Sequence, residues 1–320
     1  MEIIDDNLIR ILSESKVRGN NLDIEEQLSP KVYKEIKDLL LRVGGKWNGK
    51  THVFQEDPTY LIAALIENKQ WPDKNPHAFF PTPKKIVDYM LEMVIGEEID
   101  VLEPSAGCGA IAEAIRSKFS MATIQLCEIN KLHVNILRRK GFSDIYEGDF
   151  LKFKTDKKYN YVVMNPPFSY DGHPNAWIEH VLHAFEFLNS NGNLICIAPN
   201  GWETKETQFI KDFKSFLNEH LYAYEKIDAG SFKESGTGIA TVMLAISKAK
   251  QQPTDLELII SNDQKLYNMA LQVIKRNMQE KDIKALSDAI FREGLKTNDY
   301  YRFSIDNLKT ILYDMEKELQ

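Results

Sequence analysis

Apolar residues follow two spacings along this chain. Mostly apolar runs of strand length occur at Tyr159-Asn-Tyr-Val-Val-Met164, at residues 193–198 and at residues 99–102, and each reads as a buried strand. Shorter β-prone stretches lie at about residues 144–147, 224–227 and 240–247, and another runs into Leu126-Cys127-Glu128. Between them, residues 83–94, a stretch from about 110, and residues 175–188 and 204–219 read as helices. From Ile99 onward the strands number seven, with helices between the first six. That alternation predicts an α/β fold, a doubly wound sheet with helices on both faces.

Both ends of the chain depart from this rhythm. Val32, Ile36, Leu39, Leu40 and Val43 predict an amphipathic helix over 31–42, which Gly44-Gly45 ends. Asn48-Gly49 between two short β-prone runs predicts a hairpin over 46–54, and another helix is expected over 58–67. Near the other end Leu266, Ala270, Val273 and Ile274 mark one helix. Ile305, Leu308, Ile311, Leu312 and Met315 mark a second, with Ser304 as its N-cap. The expected organisation is an N-terminal helix-hairpin-helix appendage over 1–75, the α/β domain over 76–250 and a C-terminal helical segment over 251–320.

Composition narrows the class. The 320 residues are 43% hydrophobic and 27% charged, as in an ordinary soluble protein, and no apolar run is long enough to span a membrane. Met1-Glu-Ile-Ile-Asp-Asp6 lacks the basic start of a signal peptide, so a cytoplasmic location is expected. Cys108, Cys127 and Cys196 are odd in number and widely spaced, which fits neither a disulfide framework nor a zinc pattern. His180 and His183 are helical neighbours without an acidic or cysteine partner at ligand spacing, so no metal site is expected. A net charge of −7 excludes a generic nucleic-acid coat. Within it, residues 30–54 hold Lys31, Lys34, Lys37, Arg42, Lys46 and Lys50 against Glu35 and Asp38, a local excess of four positive charges. Such an excess is either a phosphate-contacting footprint or a solvated helix face.

The candidate chemistry gathers where strands end. After Met164 the chain reads Asn165-Pro166-Pro167-Phe168, and two prolines in series stop the strand. Ligands of open α/β sheets bind at the carboxyl ends of the strands. This stretch presents an amide, a fixed carbonyl and an aromatic ring there. An exocyclic amine on a nucleobase is a poor nucleophile, because its lone pair is drawn into the ring. The Asn165 side-chain oxygen and the Pro166 carbonyl are two acceptors suited to hold both N–H bonds and leave that lone pair facing an electrophile. Phe168 is suited to stack on the base. The plainer alternative is a Pro-Pro loop with a core Phe.

Upstream, the strand at 99–102 runs into Glu103-Pro104-Ser105-Ala106-Gly107-Cys108-Gly109, where glycines permit a tight turn and close backbone approach. Gly107-Cys-Gly109-Ala-Ile-Ala112 also fits the G-x-G-x-x-A dinucleotide fingerprint, and Glu128, 19 residues past Gly109, suits a ribose diol of either ligand class. Glu103 separates the two readings. It disfavours a pyrophosphate and suits the cationic methionine amine of S-adenosylmethionine (SAM). Thr82 is the expected N-cap, and Pro83 the N1 residue, of the helix over 83–94.

From about residue 79 to 247 the chain resembles the SAM-dependent adenine-N6 DNA methyltransferases. The likeness rests on Phe80-Pro81-Thr82-Pro83, the glycine loop, Gly148-Asp149-Phe150 and Asn165-Pro166-Pro167-Phe168, in that order. Together with His52-Val-Phe54 and Ile178-Glu-His-Val-Leu-His-Ala184, they look most like the solitary phage- or plasmid-borne members. The resemblance implies a Rossmann-like seven-stranded sheet whose last strand inserts antiparallel, and SAM as cofactor. Phe80, Pro81 and Thr82 would close over its methionine end. Glu103, Pro104, Ser105, Ala106, Gly107 and Gly109 would cradle it, Glu128 and Ile129 would hold the ribose side, and Asp149 and Phe150 the adenine, with Asn165 at the reacting end. Asn165, Pro166, Pro167 and Phe168 would act on an adenine flipped out of DNA. Phe168 stands where Tyr is commoner and keeps the stacking face. Some 70 residues follow the α/β domain, fewer than a large recognition domain needs, so a homodimer or a recognition subunit is an expected partner. The same motif serves RNA methyltransferases acting on adenine N6 or guanine N2, and protein-glutamine methyltransferases. A non-catalytic binding module of the same fold is the remaining alternative.

Overall fold

The computed structural model describes residues 2–72, 81–170, 172–202, 204–227, 230, 232, 240–249, 264–276, 278–279, 281–283, 285–287, 289–290 and 305–318. The N-terminal unit runs α1 (Asp6–Glu14), β1 (Lys16–Arg18), β2 (Asn21–Asp23), α2 (Pro30–Arg42), β3 (Lys46–Trp47), β4 (His52–Val53) and α3 (Thr59–Asn68). Its four strands form one antiparallel sheet in the order β1-β2-β4-β3. The helix at 31–42 and the hairpin form as expected, with Ser29 capping α2 through Val32 N–H. The hairpin loop is held by Asn48 Oδ1, which accepts from Lys50 N and Thr51 N at 3.0 and 2.9 Å. Helix α1 and the pair β1–β2 are additions that the apolar pattern did not announce.

The central unit follows as α4 (Lys84–Leu91), β5 (Asp100–Glu103), α5 (Ala110–Lys118), β6 (Thr123–Glu128), α6 (Lys131–Arg139), β7 (Ile145–Glu147), β8 (Tyr159–Met164), α7 (Ala176–Glu186), β9 (Leu188–Pro199), α8 (Gln208–His220), β10 (Leu221–Ile227) and β11 (Thr241–Ser247). Seven strands make one sheet, ordered β7-β6-β5-β8-β9-β11-β10. Strands β5 to β9 pair in parallel, while β11 is antiparallel to both β9 and β10. The last strand is thus inserted antiparallel, as the resemblance implies. The run β8 takes the centre because both its faces are covered. Val162 and Met164 enter one core with Trp177 and Phe213, and Tyr161 and Val163 enter the other with Met90 and Ile115.

Two boundaries differ from expectation for local reasons. Residues 189–192, between the expected helix over 175–188 and strand over 193–198, form a bulge inside the continuous strand β9, where pairing with β8 shifts between Tyr159↔Leu188 and Tyr161↔Asn193. A Cβ on Gly192 would stand 2.9 Å from the Tyr159 carbonyl oxygen, so the bulge needs glycine. At α4 the N-cap position is occupied by Pro83 with no side-chain cap bond, one residue later than expected. Thr82 is engaged elsewhere.

The N-terminal unit is joined to the central unit by packing as well as by chain. Its core of Leu8, Leu22, Ile36, Leu39, Leu40 and Leu65 is completed by Leu132 and Ile136 from α6. Arg139 pairs with Glu67 at 2.8 Å, and Asn135 Nδ2 donates to Asn68 Oδ1 at 3.2 Å. The helices α9 (Gln264–Lys275) and α10 (Ile305–Glu318) pack through Leu266, Ala270, Val273, Leu308 and Leu312. Ser304, the expected cap of α10, lies outside the described residues. Among the described residues no helix is long and apolar enough to cross a membrane.

Candidate active site

The direction of winding reverses between β5 and β8, which are neighbours although β6 and β7 intervene in sequence. Such a switch point opens a cleft at the carboxyl ends of the strands. Because β5 pairs with β8 at Leu102↔Val162, the stretch beginning at Glu103 and the stretch beginning at Asn165 leave the sheet at one edge. Glu128 ends β6 beside them, and Asp149 follows β7.

The loop after β5 is tight. Ala106 N donates to the Cys127 carbonyl at 3.0 Å, and Gly109 N to the Ala106 carbonyl at 2.8 Å. Pro104 and Ala106 are buried and Ser105 half-buried. Gly107 (φ 53°) and Gly109 (φ 91°) adopt left-handed backbone that side chains disfavour. At Gly109 the absent Cβ makes room for Leu137, whose Cδ2 would lie 2.8 Å away, so helix packing is a reason for this glycine that its sequence context did not show. Lys140 was also not foreseen. Its Nζ donates to the Cys108 carbonyl at 2.8 Å and pairs with Glu113 at 2.6 Å, pinning the loop from the end of α6. A lysine just past a helix C-terminus is what the helix dipole favours anyway, so its second role leaves no sequence signal.

Two buried carboxyl groups lie within electrostatic reach of each other here, and their pKa values shift in opposite directions. Glu128 accepts from Gly107 N and Asn130 N, both at 2.7 Å, and its Oε1 lies 3.6 Å from His133 Nδ1. Burial pushes its pKa up, but His133 and the two backbone N–H groups outweigh that and hold it below the ordinary value. His133 is raised to about 10, since the contacts with Cys108 and Glu128 outweigh the lowering by burial. Glu103 is only 1% exposed, and its Oε2 has no hydrogen-bond partner among the described residues. Burial first, and the charge of Glu128 second, raise its pKa well above the ordinary carboxylate value, against the Ala112 N–H and Lys140.

A buried carboxyl oxygen without a hydrogen-bond partner calls for one. A cationic amine fits Glu103, and the remaining lone pairs of Glu128 fit a diol. Ile129, 45% exposed, offers an apolar side chain next to Glu128. Asp149 Oδ1 accepts from Leu151 N at 3.0 Å, and its Oδ2 pairs with Lys152 at 3.3 Å. Phe150 is buried in the core against Phe153, His183 and Phe187. His180, also buried there, is lowered to about 4 chiefly by burial. His183 Nε2 lies 3.3 Å from the Phe153 carbonyl.

On the β8 side, Pro166 is buried, and Asn165, Pro167 and Phe168 are half-buried. Asn165 Nδ2 donates to Thr82 Oγ1 at 3.1 Å, across 83 residues of sequence. Thr82, expected to cap α4, therefore orients the amide of the Asn-Pro-Pro stretch. Phe168 packs against both cores, at the end of the sheet. Pro81 is half-buried beside Thr82, whereas Phe80 lies outside the described residues.

A sheet with one antiparallel strand inserted beside the fifth, a glycine turn after the first and an acidic residue ending the second is the arrangement that the sequence resemblance implies. Residues 88–233 match the family described as "Methyltransferase small domain". Two Paramecium bursaria Chlorella virus proteins are similar to this chain. The type II methyltransferase M.CvrRI of virus XZ-6E is 30% identical over 90 residues, 28% of this chain and 24% of that protein. The modification methylase CviBIII of virus NC1A is 23% identical over 211 residues, 59% of this chain and 55% of that protein. The matches thus span about half or less of those relatives' lengths. Among solved structures, the M protein of the type I restriction enzyme EcoKI is similar over 71% of this chain and 56% of its own, at 15% identity and a TM-score of 0.44.

Proposed function

We propose that this protein transfers a methyl group from SAM to the N6 amino group of adenine in DNA, with the target base flipped out of the helix. The observation that carries the reading is the Asn165 amide, tied through Nδ2 to Thr82 at the end of the strand that borders the switch point. With the nitrogen donating to Thr82, the amide oxygen is the acceptor that an amine N–H would meet, beside the carbonyl of the buried Pro166. A pair of acceptors suits an amine with two N–H bonds. Holding both in the plane of the base turns the nitrogen lone pair toward the glycine-loop side of the cleft. Phe168 supplies a ring for the extruded base to stack on. The names of the viral relatives, a type II methyltransferase and a modification methylase, support DNA as the substrate.

SAM, when bound, supplies an electrophilic methyl group on a sulfonium. Glu103 would meet its amine, Gly107 and its neighbours its chain, and Glu128 with Ile129 its ribose and base edge. Pro81 and Thr82 would cover the methionine end, so one threonine would serve both cofactor and acceptor. Positioning supplies most of the acceleration. No general base is assigned, because the product amine loses its proton to water after transfer. Tritiated methyl transfer from SAM to separate DNA, RNA and protein pools, followed by digestion, tests the reading. Label in N6-methyladenine from DNA is expected. Label confined to RNA nucleosides or to glutamine would overturn it.

A further inference from the structure

We infer that one face of the N-terminal unit, formed by α2 and the β3–β4 hairpin, is a docking surface for the phosphate backbone of the DNA; this rests on the DNA reading above. The six basic residues of this region do not act alike. Lys31 pairs with Glu35 at 4.0 Å and Arg42 with Asp38 at 2.9 Å, so the two acids of the region are matched within the helix. Lys34, Lys37, Lys46 and Lys50 are exposed, and among the described residues no carboxylate pairs with them. The whole excess of four positive charges therefore resides on these four lysines, in a chain whose net charge is −7.

Helix and hairpin share this surface. The Trp47 ring meets Tyr33 of α2 edge-on at 5.9 Å and His52 of β4 at 5.1 Å. Lys37 lies close enough to His52 that its charge, after burial, lowers the imidazole pKa. Trp47 itself is 38% exposed between the lysines. The first turn of α2 holds Lys31 and no acid, against the preference of a helix N-terminus for negative charge. Unpaired like charges contribute nothing to folding and repel one another. A polyanion relieves both, and a duplex offers charges at regular spacing. Through α3 and α6 the face is fixed to the helix that also pins the glycine loop, so DNA held here is held relative to the cleft.

The test compares two charge reversals of equal size. Lys34→Glu/Lys50→Glu alters the proposed face. Lys16→Glu/Lys69→Glu alters two lysines of the same unit that pair with Glu25 and Asp6. Binding of fluorescein-labelled duplex is followed by anisotropy across a salt series, with SAM binding by calorimetry as the folding control. The first pair should weaken binding on every duplex sequence and lower the slope of log K against log salt by about two. SAM affinity should stay as in the wild type. The second pair should leave the slope near the wild-type value. Equal losses from both pairs, or no loss from the first while the wild type binds and methylates DNA, would overturn the surface and leave the DNA reading standing. A wild type that neither binds nor methylates DNA would remove the DNA reading, and the surface with it.

Discussion

The cleft and the N-terminal face use charge in opposite ways. In the cleft, Glu103 and Glu128 are buried within reach of each other, and Glu103 Oε2 has no hydrogen-bond partner among the described residues. On the face, Lys34, Lys37, Lys46 and Lys50 are exposed and pair with no carboxylate among the described residues. A buried, unpaired ionisable group costs stability, because the interior solvates it poorly. Exposed charges cost little, because water screens them. A site for one small ligand therefore strains the apo fold, while a surface for a long polyanion leaves it almost untouched. The two regions should answer mutation differently. Single changes in the cleft should act on rate and stability. Changes on the face should act on salt-dependent affinity.

The largest effect should come from Asn165→Ala, with a loss of about 10²–10³ in transfer rate, as for other pre-aimed polar groups at reacting centres. SAM binding should persist. Thr82→Val should share part of that loss in kcat, and Thr82→Ser should restore it. A single lysine reversal that cost as much as Asn165→Ala would break the contrast. Next, Phe168→Ala should lose stacking of about 1–3 kcal/mol, while Phe168→Tyr or Trp keeps substantial activity. Placing the target adenine opposite a mismatch should return part of the loss, since extrusion is then cheaper. Equal losses on matched and mismatched duplexes would take Phe168 out of the base pocket.

The smallest effect sharpens the contrast most. Glu103 has its folded pKa raised, so its contribution to stability is complete below the ordinary carboxylate range and is lost as pH rises from there toward the folded value. Glu103→Gln should remove that decline. At neutral pH the ligand-free variant should melt higher than the wild type, by about 2–4 °C, and should bind SAM more weakly. A wild type that melts no lower than the variant at pH 7 would show that the carboxyl group is comfortable without a ligand.

Much of this was legible because burial and backbone rules act locally. The run Tyr159–Met164 was readable as β8 since it is covered on both faces, and Pro166 and Pro167 fixed its end. The three-residue strands Lys16–Arg18 and Asn21–Asp23 have too few apolar positions to show a period. Thr82, by its place before Pro83, reads as a cap, but it does not cap α4, and its bond to Asn165 depends on tertiary approach. Phe150 was legible as an aromatic beside Asp149, and only packing shows its ring turned into the core. Lys140 and His133 carry no motif at all. They act because α6 lies against the glycine loop.

That placement of α6 also bears on how the chain comes into being. Residues 2–72 are synthesised before α6, yet the core they build is closed by Leu132 and Ile136 of that helix. At about 5–20 residues per second, synthesis from residue 72 to the end of α6 takes roughly 3–13 s. Through that interval the apolar side of α2, with Ile36, Leu39 and Leu40, waits for its last neighbours. The basic surface is therefore made before the helix that completes its core, and is held in place only once β5, β6 and α6 have followed it.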